Sequence, residues 1–387
     1  MIEFLKDSTM NTTTEQLVEG ISEWLRCESP SSDPAALMRM AEVMRDHALR
    51  LGLRAELTPV QARADAPLLP LLHIHNRAAG DTCAGLLILG HLDTVHPIGT
   101  LAHNPVRVEG DRFYGPGGYD MKAGIFLALT ALGALAQPGA TTLPVDLLIV
   151  PDEEVGSHAS RASIEAFARR SRYCLVCEPA RANGGRCVTA RKGSGNTVIS
   201  VQGVASHAGL AHDKGRSAVR EMAHQILALE AMTDYARGVT VSVGTIEGGT
   251  TSNTVPAFCK CLVDFRFTDL VSANEVAEQM RQLKPVGPDV ALDIDVEINR
   301  PPMVRDDKVV QLLHRAQQSA SAVGLVLEEA PPTGGASDAN FTSAMGVPSI
   351  DGLGADGDCA HTWDEHVLVS TLLTRARFWH HLLTHLD

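Results

Sequence analysis

Val145-Asp146-Leu147-Leu148-Ile149-Val150-Pro151-Asp152-Glu153-Glu154 decides how this chain is read. The run 145–150 is apolar except for Asp146, has the length of a strand, and is stopped by proline. A strand apolar on both faces belongs in a sheet covered on both sides, which points to parallel α/β architecture. Three adjacent carboxylates then repel one another at its carboxyl end. Either they form a solvated acidic turn, or something holds them ionised together.

Working outward, 71–75 and 86–89 are short apolar strands, and 173–177 is the next one downstream. Between them, 121–136 and 159–170 read as helices. Upstream, Thr12-Thr13-Thr14-Glu15 offers a capping box for a helix bearing Leu17, Ile21, Trp24 and Leu25. Asp33-Pro34 opens a second helix reaching about residue 51. This alternation predicts an α/β domain with a mostly parallel sheet and helices on both faces.

The texture changes at Arg191. Strands at 197–201, 239–243 and 258–266 alternate apolar and polar residues, as half-exposed strands do, with amphipathic helices at 217–229 and 273–283. They predict a small α+β domain inserted at 191–301. The first rhythm resumes after Pro301-Pro302, with a helix at 306–323, a strand at 347–350 and a helix at 369–385. The larger domain is thus expected in two parts, 1–190 and 302–387.

With 387 residues there is ample material for two cores. A formal charge of −13 and no basic stripe argue against nucleic acid. No stretch approaches the ~18 apolar residues of a membrane span, and residues 1–16 do not read as a signal peptide. Eight cysteines without dense spacing suit a reducing compartment, so cytoplasm is the expected location. Cys174 and Cys177 read as buried strand residues; Cys259 and Cys261 have the wrong spacing to complete a zinc knuckle.

Chemistry-bearing residues recur just past the apolar runs. His91 follows 86–90, the position of ligand sites in open α/β sheets, and Asp93 is placed to accept the other imidazole N–H. Asp120, in Gly117-Gly118-Tyr119-Asp120-Met121-Lys122, reads as the N-cap of the next helix and as a carboxylate bridging two metals, and the two are compatible because a cap carboxylate has further lone pairs. In 152–154 the metal reading makes Glu154 a ligand and leaves Glu153 off the metals to take a proton from an activated water. Glu178 adds an oxygen ligand after the next strand. His361, in Ala360-His361-Thr362, completes the second metal's shell.

In order and spacing, His91-x-Asp93, Gly118-x-Asp120-Met121-Lys122, Asp152-Glu153-Glu154, Glu178-Pro179 and His361 closely resemble the M20 metallopeptidase family. Thr333-Gly334-Gly335-Ala336-Ser337-Asp338-Ala339 and Gly352-Leu353-Gly354 look most like its carboxypeptidase branch. The resemblance implies two divalent metal ions, zinc by preference with cobalt or manganese as alternatives. One would take His91, Asp120 and Glu178, the other Asp120, Glu154 and His361, with a cis peptide between Asp120 and Met121. Glu153 would be the general base and Asp93 would orient His91. It further implies that 191–301 is a lid and homodimerisation domain. There His207 would stabilise the oxyanion from the partner subunit, while Asn253 and Arg266 would hold the substrate's amide and carboxylate. For Arg266, a surface ion pair with Asp264 is the competing reading.

The implied substrate is a small peptide or N-acyl amino acid, cleaved to release a C-terminal amino acid in the manner of a glutamate carboxypeptidase. Alternatives are an N-acyl-amino-acid deacylase of the same family, deamination of a small aromatic substrate, or a metal-binding protein that has lost activity. The auxin-conjugate type needs a cysteine ligand near Asp120, and none stands there. Asp358-Cys359 and Trp363 depart from the smaller or more polar neighbours usual around the last histidine, which bears on substrate choice.

Overall fold

The computed structural model describes residues 10–137, 139–182 and 184–387, so residues 1–9 of the leader-peptide reading lie outside the described residues. The chain forms two compact units. One comprises the described residues through Ala190 with Val304–Pro332 and Ser337–Asp387; the other comprises Arg191–Met303 with Thr333–Ala336.

The first unit is built on a six-stranded sheet in the order Arg54–Val60, Leu69–His75, Val145–Val150, Gly85–His91, Ser171–Val176, Ser349–Ile350. The first two pairings are antiparallel and the other three parallel. Both Gly85–His91 and Val145–Val150 are buried at every residue, as their unbroken apolar sequence requires. Helix Ala123–Ala134 is apolar nearly all round and packs against the terminal helix Val369–His385. Its first turn lies tight on the sheet: a Cβ at Gly124 would come within 2.3 Å of the Cys177 carbonyl oxygen.

The second unit is a four-stranded antiparallel sheet in the order Thr240–Gly248, Phe258–Phe267, Gly193–Gln202, Ala291–Arg300. Helices Ala218–Glu230 and Leu270–Arg281 pack on it, enclosing Met222, Phe265, Phe267 and Met280. Phe258–Phe267 alternates in burial along its length, the mark of a sheet with one wet face.

Two long strands escape the sequence reading, as do the short strands Arg107–Glu109, Arg112–Tyr114, Gly357–Asp358 and His366–Leu368, which form a sheet of their own. Arg54–Val60 is a largely exposed edge strand, and Ala291–Arg300 is an edge strand bearing Asp293, Asp295 and Glu297 on alternate residues. Edges carry charge and little apolar signal, because only one face and one side need covering. The first capping box is Thr13 with Gln16, one residue later than expected. Asp33 does cap Pro34–Arg50, accepting from the amides of Ala35 and Ala36.

Candidate metal centre

Three neighbouring parallel strands deliver most of the site from their carboxyl ends. His91 is the last residue of Gly85–His91. Glu153 and Glu154 open a single 3-10 turn after Val145–Val150. Glu178 stands two residues past Ser171–Val176. Asp120 comes from the tight turn Gly118–Lys122, and His361 from the loop between Gly357–Asp358 and His366–Leu368.

These side chains converge. His91 Nε2 is 3.2 Å from Asp120 Oδ1 and 3.9 Å from Glu178 Oε1. His361 Nε2 is 3.3 Å from Asp120 Oδ2 and 3.4 Å from Glu154 Oε2. Asp120 therefore faces one imidazole with each oxygen. Its backbone is not helical (φ −116°, ψ 93°), the Asp120–Met121 peptide is cis, and the following helix has Lys122 at its N-cap. The N-cap reading of Asp120 is thereby replaced. Ligand atoms of His91, Glu153 and Glu178 lie within 4.8 Å of one another, as do those of His91, Asp120 and Glu154.

Asp93 acts differently from the sequence expectation. His91 Nδ1 donates to the Asp93 backbone carbonyl at 2.9 Å, with the carboxylate farther off at 3.5 Å. That carboxylate accepts instead from the amides of Glu153 and Glu154, both at 3.1 Å, and from Ser31 Oγ at 2.7 Å. Asp93 thus fixes the His91 tautomer through its main chain and anchors the acidic turn through its side chain.

Crowding shows in the proton affinities. Burial, with Asp120 and Glu153 adding to it, pushes Glu178 well above the usual carboxylate range. Burial raises Glu154 too, and takes Asp93 up to about 7. Burial also opposes ionisation of Asp120, but hydrogen bonds from His361 and His91 outweigh it and hold that carboxyl low. Hydrogen bonds to Asp120 and Glu154 raise His361 to about 10. His91 is raised despite its burial, by the same kind of partner. Five carboxylates sharing two imidazoles is a charge distribution that divalent cations would complete. Glu154 Oε1 adds a second sign, being buried with no hydrogen-bond partner. The donor set, two imidazoles and several carboxylate oxygens, fits zinc-type or other borderline divalent ions.

The remaining candidates lie in the second unit. His207 pairs with Thr254 across a two-residue ladder, and its Nδ1 accepts from the amides of Gly209 and Leu210. In the neutral ring the proton is then on Nε2, making that nitrogen a donor. The Asn253 carbonyl accepts from the Ala208 amide at 2.9 Å, so these two segments are joined. Arg266 is held in a fork by Asp264, with Nη2 2.6 Å from Oδ2.

Sequence reasoning overlooked Glu365 and His96. Glu365 is fully buried and accepts from the amides of Tyr119 and Asp120 on one oxygen. Its other oxygen accepts from the amide of Gly117 and from His96 Nε2, the latter at 2.6 Å. A single glutamate in a loop carries no pattern that would have marked it.

The family model described as "Peptidase family M20/M25/M40" matches residues 87–385. The chain belongs to that family. It is therefore a metallohydrolase of the peptidase and amidohydrolase type. It is 31% identical to carboxypeptidase G2 of Pseudomonas sp. (strain RS-16) over 281 residues, covering 72% of this chain and 68% of the relative. A succinyl-diaminopimelate desuccinylase from Methylobacterium nodulans is 28% identical over 373 residues, 90% of each chain. An M20 family metallo-carboxypeptidase from Sulfolobus solfataricus shares the fold, with a TM-score of 0.76 at 17% identity over 95% of this chain and 98% of that one. Among the described residues, no helix is long and apolar enough to cross a membrane.

Proposed function

We propose that this M20 hydrolase cleaves an amide bond to release a C-terminal amino acid, acting as a glutamate-type carboxypeptidase on small peptides or N-acyl amino acids. The observation that carries the reading is Asp120 set between His91 and His361, with Glu154 and Glu178 alongside. His91, Asp120 and Glu178 would hold one divalent ion, and Asp120, Glu154 and His361 the other. Zinc is the preferred ion and cobalt or manganese the alternatives. When bound, such a pair supplies polarisation of the scissile carbonyl and a water acidified toward neutrality. Glu153 takes that water's proton as general base and returns it to the leaving nitrogen.

His207 Nε2–H is proposed to donate to the developing oxyanion, and Asn253 and Arg266 to hold the substrate amide and carboxylate. These three roles rest on the resemblance of their segments to the family. For Arg266, the planar fork now engaged by Asp264 is also the geometry that grips a carboxylate. A homodimer through the inserted unit and a cytoplasmic location belong to the same proposal; eight free cysteines favour the latter.

The match to one desuccinylase over nine-tenths of the chain favours, as a second reading, an N-acyl-amino-acid deacylase. A panel of acyl-glutamates, acyl-ornithine, succinyl-diaminopimelate and neutral conjugates separates the two. The base assignment is tested by Glu153→Gln, expected to keep both metals and lose ~10²–10⁴-fold in kcat. Turnover near wild type in that variant would remove Glu153 from its role.

A further inference from the structure

We propose that Glu365 is a positioning residue whose buried carboxylate fixes the turn carrying Asp120 against the loops carrying His91 and His361. The inference rests on the reading of Asp120 as a ligand for the role of the turn, but not for the clamp itself. Three backbone amides of one turn, those of Gly117, Tyr119 and Asp120, converge on this carboxylate at 3.3, 3.0 and 3.0 Å. A tight turn whose amides point inward leaves donors that must be satisfied, and one carboxyl group with two oxygens can take up several of them at once. The amide of Asp120 is among them, so the clamp acts one residue's backbone away from the carboxylate that faces both imidazoles.

The same carboxylate reaches the other two loops. His96, five residues past His91, donates Nε2–H to Glu365 Oε2 at 2.6 Å. Glu365 is itself four residues past His361. Its successor His366 pairs with Tyr114, at the head of the glycine-rich stretch leading to Asp120. From the opposite direction Gly117, at φ +69°, lies so close to Thr94 that a Cβ would come within 2.3 Å of the threonine methyl. The turn is thus packed on the loop after His91 and clamped by a side chain from the loop after His361. Movement of any one loop is passed to the others through a single buried group.

A residue that orients a ligand in this way changes metal affinity ~10–100-fold when altered. The test uses the full chain, with Glu365→Gln, Glu365→Ala and His96→Ala beside Glu109→Gln, which removes an exposed carboxylate. Zinc affinity is measured by chelator competition, the fold by circular dichroism, and amide hydrogen exchange over 115–122 in chelator-treated protein. Expected is a native fold, zinc affinity lower by ~10–100-fold in Glu365→Gln, and faster exchange at residues 117, 119 and 120. His96→Ala is expected to show a smaller change of the same kind, because it removes one of four contacts. Folded Glu365→Gln with wild-type zinc affinity and unchanged exchange overturns the inference. If wild-type protein takes up none of zinc, cobalt or manganese, the proposed function falls. The exchange arm then decides alone: unchanged protection of those amides in Glu365→Ala, or in Glu365→Gln should the alanine variant not fold, overturns the clamp.

Discussion

Strand Val145–Val150 has a buried acidic site at each end, and the two are built on opposite logic. Near its start, Asp146 is fully buried and its carboxylate is taken up by three side-chain donors. Arg77 forks onto both oxygens, Arg170 donates at 2.9 Å and His73 at 2.8 Å. Burial pushes that carboxyl up, but the hydrogen bonds from His73 and Arg77 prevail and hold it at about 2. Beyond its end, Asp93, Asp120, Glu153, Glu154 and Glu178 gather around two imidazoles, and several of these acids are driven upward. Buried Lys122 donates to the Cys27 carbonyl rather than to one of these carboxylates, and burial lowers it to about 8. The first site is electrostatically finished by the chain itself. The second leaves an excess of negative charge and a buried oxygen without a partner, which is the form a cation site takes when its ions come from solution.

The sharpest way to break this contrast is to neutralise each site in turn. Asp146→Asn takes the buried carboxylate from Arg77, leaving it only Asp81 at 3.7 Å and the Cys83 carbonyl, and is expected to destabilise folding by ~3 kcal/mol, read from urea unfolding, with zinc stoichiometry unchanged. A loss under 1 kcal/mol would mean that the Asp146 site is not self-sufficient. Glu178→Gln is expected to behave oppositely. Because its carboxyl is raised by burial, its ionised form opposes folding at neutral pH, so the chelated variant should be at least as stable as chelated wild type. As a direct ligand is removed, its zinc affinity should fall by more than the ~10–100-fold that altering a residue behind a ligand costs. Destabilisation of the chelated variant would place Glu178 with Asp146 as a structural acid.

Acidity distinguishes the two ends as well. Asp146 lies below its ordinary value of 3.8, so its contribution is present above pH ~4 and is lost as pH falls through about 2. His361 lies above its ordinary 6.5, so in chelated protein its contribution is complete below pH ~6.5 and is lost as pH rises through about 10. The difference in urea midpoint between wild type and His361→Ala should therefore shrink toward alkaline pH; a constant difference would contradict the imidazole–carboxylate contacts. The smallest effect is at Ser31. Ser31→Ala removes one hydrogen bond to the Asp93 carboxylate, and a loss of about 1 kcal/mol is expected by thermal unfolding.

Much of this was legible along the chain. The strands Gly85–His91, Val145–Val150 and Ser171–Val176 announce themselves because burial on both faces demands continuous apolar sequence. His91 closes the first of them, and Glu153, Glu154 and Glu178 stand just past the ends of the other two. Arg54–Val60 and Ala291–Arg300 were not legible, since an edge strand needs only half the apolar pattern. The N-cap reading of Asp120 failed for a related reason: a carboxylate before an apolar helix looks the same whether it faces backbone amides or imidazoles.

What the sequence determined by itself is therefore the layered architecture, the change of strand texture near residue 191 and the kinds of ligand available, because these follow from periodicity and from residue types at strand ends. Only the tertiary structure decided which groups meet. It gave the Asp93 carboxylate to the acidic turn and its carbonyl to His91, and it brought Glu365 across some 245 residues of chain to three amides of one turn. Contacts between distant segments are fixed by packing and by the need to satisfy every buried donor, and neither leaves a local signature.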